Sequence, residues 1–450
     1  MWLNELYRRW VSWPATGRRF RRRSERRPGL RLSLEQLEDR MVLSNFTAAT
    51  VSDLIVDINA ANQQGGANTI MLAAPTTSPY VLAAVDNTTD GATGLPVIAA
   101  KDNLTILGNG DTIARSTASG TPHLRLFDVA AGAALTLENL TLQNGLADGG
   151  WGGGAIYNRG TLKLTGVTVQ GNSATAGGAL YVAGGTVSLA GDNLSANTAV
   201  GIAANGYGGA LYVASGTVSL SNDTLSGNTA RGGVGRLAGI VNGIPIWYRY
   251  QGYGGGIYVS GGTVTSTNDI LSSNAAVGGQ GGAGTAGFNG QNGGNGGPGG
   301  TGYGGGVCVA AGKVTLSNDT LTGNLAQGGQ GGQGGKAYPR YYPYHIVWGN
   351  GGNGGNGGDG FGGGLCALGG SITLTSDTIT SNTAQGGNGG AGGSGRSYGL
   401  TGGTGVGEGG GLFLDPPAVA YLDPFTVANV VNNTASTSYP NIYGSYTIRP

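Results

Sequence analysis

Residues 208–228 read GGALYVASGTVSLSNDTLSGN, and the same sentence recurs along the chain. Its opening returns as Gly153-Gly154-Ala155-Ile156-Tyr157, Gly177-Gly178-Ala179-Leu180-Tyr181, Gly254-Gly255-Gly256-Ile257-Tyr258, Gly304-Gly305-Gly306-Val307-Cys308, Gly362-Gly363-Gly364-Leu365-Cys366 and Gly409-Gly410-Gly411-Leu412-Phe413, seven copies in all. Counted from the first aliphatic residue of each copy, an Asn falls 17 positions later at Asn197, Asn228, Asn274, Asn324 and Asn382, and 16 later at Asn172. Aliphatic residues hold the seventh offset (Val187, Val218, Val264, Val314, Ile372) and the fourteenth (Leu194, Leu225, Leu271, Leu321, Ile379). Columns that persist in this way are structural registers. Short runs such as Thr217–Leu220 between Gly and Asn-Asp turns make each copy two or three brief strands.

The shortest spacing, Ile156 to Leu180, is 24 residues, the length of one coil of a right-handed parallel β-helix. The expected fold is therefore all-β: a solenoid whose coils stack about 4.8 Å apart, with aliphatic columns inside. One coil burying four or five side chains gains roughly 8–12 kcal/mol, against about 1–2 kcal/mol of backbone entropy for every residue it orders. Only the stack folds. The repeats over residues 95–445 resemble those of polymorphic outer-membrane and pectate-lyase-like β-helix proteins. The Asn column (Asn172, Asn197, Asn228, Asn274, Asn324, Asn382) then reads as an asparagine ladder at one corner. Fold resemblance by itself names no activity.

The rest of the chain divides around this block. Residues 1–40 hold 11 of the 24 basic and 5 of the 23 acidic residues, leaving 13 basic against 18 acidic, net −5, in the other 410. An arginine-rich arm with no basic, aromatic-bearing domain behind it does not describe a nucleic-acid binder. Leu34-Glu35-Gln36-Leu37-Glu38-Asp39-Arg40-Met41-Val42-Leu43-Ser44 resembles the Leu-Glu-Pro-Arg-type export leader of planctomycete envelope proteins, with Asp39 in place of Pro. The resemblance implies an exported protein at the cell surface. No apolar run reaches the roughly 20 residues of a membrane-spanning helix. The expected divisions are a leader (1–45), a cap and lead-in segment (46–100), and the solenoid (101–450). In the cap, Thr50-Val51-Ser52-Asp53 has capping-box spacing ahead of Leu54, Ile55 and Ile58, and predicts a short helix closed by Gly65-Gly66.

All length variation falls in one connection. From each ladder Asn to the next copy's first aliphatic residue the spacings are 8, 14, 29, 33, 41 and 30. Insertions confined to one corner emerge on one face. Some are nearly pure glycine (290–306, 349–364), either flexible or packed as extended polyglycine. Gly is about a fifth of the chain and keeps no chain-wide Gly-X-Y period, so collagen is excluded. Two insertions carry aromatic and basic residues: Trp247, Tyr248, Arg249, Tyr250 and Tyr253, then Arg340, Tyr341, Tyr342, Tyr344 and Trp348. Aromatic residues on polar loops are contact platforms for glycans or for envelope and partner-cell proteins, unless they fold back onto the rod. With the glycine insertion 275–303 between them, the two clusters are expected to stand about 10 Å apart at their bases, two coils along the stack.

Catalytic signals are weak. Gly395-Arg396-Ser397-Tyr398-Gly399 matches a nucleophile elbow but lacks the strand and helix that motif needs. Asp192, Asp223, Asp269, Asp319 and Asp377 hold the twelfth offset. They read as turn caps, with calcium the one cation left open, because a ladder gives every Asp the same environment whereas an acid–base pair needs two different ones. No cofactor motif or metal-ligand set is present. The leading functional reading is a structural, adhesin-like surface protein, and the alternative is a polysaccharide lyase or glycoside hydrolase. Cys308 and Cys366 share an offset in neighbouring copies. Their expected Cα separation of about 4.8–5.5 Å on an outward-facing column admits a disulfide in an oxidising compartment.

Overall fold

The computed structural model describes residues 44–74, 79–148, 152–241 and 244–449, so the arginine cluster and the Leu34–Leu43 part of the leader motif lie outside the described residues. The chain winds as a right-handed parallel β-helix whose strands form stacked sheets of twelve, ten, nine, seven and five members. One coil runs through Thr186–Ala190, Asn193–Ser195, Thr198–Val200, Gly206–Tyr207 and Leu211–Val213 before the next begins at Thr217. The repeat columns are the pairing registers: Val187 lies beside Val218 and Val218 beside Val264, while Leu180 pairs with Leu211.

Alternation along each strand decides what is buried. In Thr217–Ser221, Val218 and Leu220 point inward and Thr217 and Ser219 outward. Inward columns from three sheets meet in one continuous core along the rod, including Leu189, Leu194, Leu211 and Val213. Coils turn sharply between strands because Asn222, Asn268 and Asn318 take φ of 58, 59 and 57°, and Ala196, Ser273 and Ser381 do the same before the ladder Asn. Asn tolerates this left-handed region better than most side chains.

The expected N-terminal helix is α1 (Val51–Gln64), with the capping box formed between Thr50 and Asp53 and Gly65 closing it at φ 63°. Leu54, Ile58 and Ala61 bury its inner face in the rod's core and so cover the first coil's apolar end. The strand before it, Ser44–Ala48, already pairs in register with Gly66–Leu72, and that strand with Asp102–Leu107. Among the described residues, parallel pairing is thus present from Ser44, within the segment expected as cap and lead-in. At the other end a six-residue helix, Pro424–Asn429, crosses the last coil, where the Thr426 hydroxyl accepts the Asp377 N–H.

Candidate functional site

The regular columns serve structure. Asn274 Oδ1 accepts both the backbone N–H and the side-chain amide of Asn228 at 3.0 and 2.9 Å. The Asn274 amide in turn reaches the Leu225 carbonyl and Asn324 Oδ1. This unit runs from Asn172 to Asn382 and continues through Asn433 and Asn441, which the repeat count did not include. The Asp column forms a second ladder. Asp223 Oδ1 accepts the Asp192 N–H at 2.7 Å and its Oδ2 the Ser221 N–H at 3.0 Å, and the inter-coil bond recurs at Asp269, Asp319 and Asp377. Both carboxylate oxygens of Asp223 are committed to backbone, which is turn capping. Burial pushes these carboxyls up, Asp192 and Asp319 to about 6, Asp223 to about 7 and Asp377 to about 8.

The Tyr/Cys column is not on the surface. The five-stranded sheet (Gly206–Tyr207, Gly252–Tyr253, Gly302–Tyr303, Gly360–Phe361, Gly407–Glu408) ends each insertion and folds back over it. Between the layers lies a second core of Tyr258, Cys308, Cys366 and Phe413, packed against Tyr207, Tyr212, Tyr253, Tyr303 and Phe361. Tyr253, expected as a contact residue, stacks between Tyr207 and Tyr303 at 5.3 and 5.0 Å and belongs to this interior. Cys308 and Cys366 pair in register as fully buried free thiols, and burial pushes the Cys366 thiol well up. Their column points away from the main core, but the insertion strands seal it from solvent. A strand of two residues was too short to read from sequence.

The glycine insertions are ordered arms. Each leaves the rod and returns antiparallel beside itself: 278–287 with 293–300, 328–336 with 349–358, and 386–394 with 399–406. Their hydrogen bonds repeat every third residue. Gly329, Gly332 and Gly335 donate to the carbonyls of Gly300, Gly297 and Gly294, while Gly281 and Gly284 donate to Gln330 and Gln333. A three-residue repeat with no bonds inside an arm is the signature of a polyproline-II-type helix, here bundled through its N–H groups. The triplet Gly-Gly-X explains itself sterically. A methyl on Gly332 would stand 2.0 Å from the Gly282 carbonyl oxygen, and one on Gly331 1.9 Å from that of Gly355. Only X (Gln330, Gln333, Asn353, Asn356) faces solvent. On the returning arms Asn295, Asn353 and Asn356 accept backbone N–H groups from the next arm at 2.9 Å, a third ladder. At about 3.1 Å per residue, an arm of ten residues carries its end roughly 30 Å outward.

The aromatic clusters sit on these arms. The hairpin of Arg236–Val241 and Ile244–Tyr248 lies along the first full arm, and Trp247 packs flat on it: a methyl on Gly282 or Gly297 would come within 2.5 Å of the indole. Trp247 is therefore chiefly an anchor, flanking a groove of about 250 Å³ with Leu237, Ile240, Pro245, Thr285 and Asn295. Tyr248 is exposed and stacks on Tyr250, whose carbonyl accepts the Gly279 N–H, and Arg249 is exposed beside them. The second cluster caps its arm as a small hairpin, Arg340–Tyr341 with Ile346–Val347. Tyr341 is 71% exposed and Tyr344 98%, and Trp348 is also open. Arg340 covers Tyr342 at 4.7 Å and Tyr342 stacks on His345. The insertion between the clusters leaves no gap: its tip residue Phe288 stacks on Tyr338 at 5.3 Å. Tyr398 and Leu400, 80% and 74% exposed, extend the patch onto the last arm. Phe288, Tyr398 and Leu400 were missed, and Ile346 and Val347 were not singled out within the second cluster. Repeated Gly-Gly-X on both sides of each tip was the signal that aligns them.

One other cluster holds unusual chemistry. Arg125 and Asp128 are fully buried near Tyr157, Arg159 and Asp90, and Arg125 Nη1 donates to the Asp90 carbonyl while Arg159 pairs with the Asp90 carboxylate. Burial, then the nearby Asp90, pushes Asp128 to about 6. The 86–93 hairpin lies over this group. Comparison with family models, curated proteins and solved structures returned no match to this chain.

Proposed function

We propose that this is an exported, surface-displayed β-helix protein that works by holding a contact patch away from the rod, in an adhesin-like role and not by catalysis. The observation that carries this reading is the run of exposed aromatic and large aliphatic side chains at adjoining arm ends: Phe288, Tyr341, Tyr344, Trp348, Tyr398 and Leu400 stand at or near the tips of arms of hydrogen-bonded glycine. Apolar surface of this extent, rimmed by polar residues, marks an interaction site. Because the arms are ordered before contact, little conformational entropy is lost on binding. The lyase or hydrolase alternative needs an open acid and base together beside a groove. Oδ1 of every ladder carboxylate from Asp192 to Asp377 accepts a backbone N–H from the preceding coil, and Asp128 is fully buried.

The test replaces residues 337–348 and, separately, 236–248 by short Gly-Ser links, leaving the arms intact. Circular dichroism should keep its β signal and cooperative melting, while attachment of the protein to intact cells or to glycan-coated surfaces drops at least tenfold. Unchanged attachment by both variants would remove the patch from the function. Turnover of a polysaccharide panel by the parent protein would establish the enzyme reading instead.

A further inference from the structure

Charge is sorted between rod and arms. The insertions at 232–253, 278–303, 328–361 and 386–408 carry Arg236, Arg249, Lys336, Arg340 and Arg396, five of the 13 basic residues beyond residue 40, and two of the 18 acidic ones, Asp359 and Glu408, both in the segments that return to the rod. All five cations are exposed, and among the described residues none lies within ion-pair distance of a carboxylate. The remainder of the chain beyond residue 40 therefore holds eight basic against 16 acidic residues. A negatively charged rod carries a positively charged outer end.

The apolar part of that end is not a sugar platform alone. Tyr341, Tyr344, Trp348 and Tyr398 share it with open aliphatic side chains, Ile240, Val241, Ile346 and Leu400 among them. A pyranose ring stacks on a flat aromatic face but gains little from Ile or Leu, and a protein partner with an acidic rim would be expected to meet acceptor and donor groups alike. Tyr and Trp mixed with aliphatic residues, Arg and Lys, and without Asp or Glu, is the composition that settles at a lipid headgroup boundary. Aromatic rings sit at headgroup depth, aliphatic side chains reach the acyl region, and each cation gains about fivefold in affinity from an anionic leaflet. The geometry agrees. The patch lies at the end of arms about 30 Å long and can meet a flat surface before the rod does.

We propose that the partner of the arm ends is an anionic lipid surface, bound peripherally through Lys336, Arg340 and Arg396 with Tyr344, Trp348 and Leu400 inserted at the headgroups. This deepens the surface-contact reading and rests on it. The full chain should float with phosphatidylcholine vesicles containing phosphatidylglycerol and should not float with phosphatidylcholine alone. Raising salt past the point where the Debye length falls to about 3 Å should release it. Combined Lys336→Glu, Arg340→Glu and Arg396→Glu, all exposed and without ion-pair partners, should weaken binding at least thirtyfold with unchanged circular dichroism. Tyr344→Ser with Leu400→Ser should weaken it about tenfold without changing its salt dependence. Equal flotation with neutral and anionic vesicles, or charge-reversed protein that still floats, overturns the proposal. Absence of flotation together with tip-dependent binding to glycan surfaces overturns the lipid partner and leaves the surface-contact function standing. Absence of both overturns the two together.

Discussion

The rod and its arms solve one problem, stacking chain on chain, by opposite means. In the rod, Val187, Val218 and Val264 and their like fill a shared interior, and the backbone pairs as parallel sheet. In the arms there is no interior to fill. Backbones approach so closely that Gly332 and Gly355 leave no room for a methyl group, and the yield is hydrogen bonds and close packing in place of apolar burial. The rod is therefore injured by losing side chains and the arms by gaining them.

The largest loss is expected in the rod's polar ladder. Asn324→Leu leaves the Asn274 N–H, the Asn274 amide and the Leu271 carbonyl without their buried partner, at roughly 1–3 kcal/mol for each orphaned group. A urea midpoint that stays at the parent value would show the ladder to be ornamental. Next comes Leu321→Ala, a core truncation of about 2–5 kcal/mol that should lower the melting temperature of the entire β signal. Gly332→Ala is the opposite experiment. It should cost about 1–3 kcal/mol by overpacking, felt in the arms alone. Hydrogen exchange should accelerate at the arm glycines while the rod amides keep their protection, and uniform acceleration would mean that rod and arms unfold as one unit.

Acidity separates the two regions more gently. The ladder carboxyls titrate higher in the folded rod than the value near 3.9 of an unfolded Asp, so the folded state holds more protons between these limits. Their stabilisation is complete below about pH 4 and is lost as pH rises through about 6 to 8. Thermal midpoints measured between pH 5 and 8 should fall as pH rises. A rise over that range would contradict the burial of the Asp ladder. The arms, whose two acids Asp359 and Glu408 lie where they return to the rod, should keep their exchange protection across it.

The smallest effect concerns where the arms stop. Thr401 and Thr404 occupy the positions of Gly354 and Gly357 in the preceding arm, whose added methyls would each stand 1.8 Å from a carbonyl oxygen of the next arm. With no arm beyond them, Thr fits and blocks any further one, as charged or bulky residues blunt a sheet edge. Thr401→Gly with Thr404→Gly should change the melting temperature little and create binding to a (Gly-Gly-Gln)n peptide. Equal peptide binding by the parent chain would show that the edge was open all along.

Much of this was legible in residues. The offsets that align Val218, Leu225 and Asn228 with their counterparts specify the coil, since a strand that slips by one residue turns its apolar face outward. Thr50 and Asp53 specify α1 because a capping box is satisfied within four residues. The placement of Tyr253 and Cys308 was not legible. Gly252-Tyr253 and Gly302-Tyr303 become strands only because each lies against the one before, and a two-residue strand has no stability or periodic pattern of its own. The insertion triplets were visible as glycine, but their rigidity was not: a single polyproline-II leg has no internal hydrogen bonds, and the returning leg and the neighbouring insertions supply every one. Sequence alone determined the register of the stack and the single corner from which the insertions leave, because those follow from local turns and from which residues prefer to avoid water. Tertiary structure decided which aromatics are interior and that Phe288, Tyr344 and Leu400 share one patch. Such contacts, as between Phe288 and Tyr338, join residues 50 positions apart, and they exist only once bundled glycine backbones have fixed the length and direction of every arm.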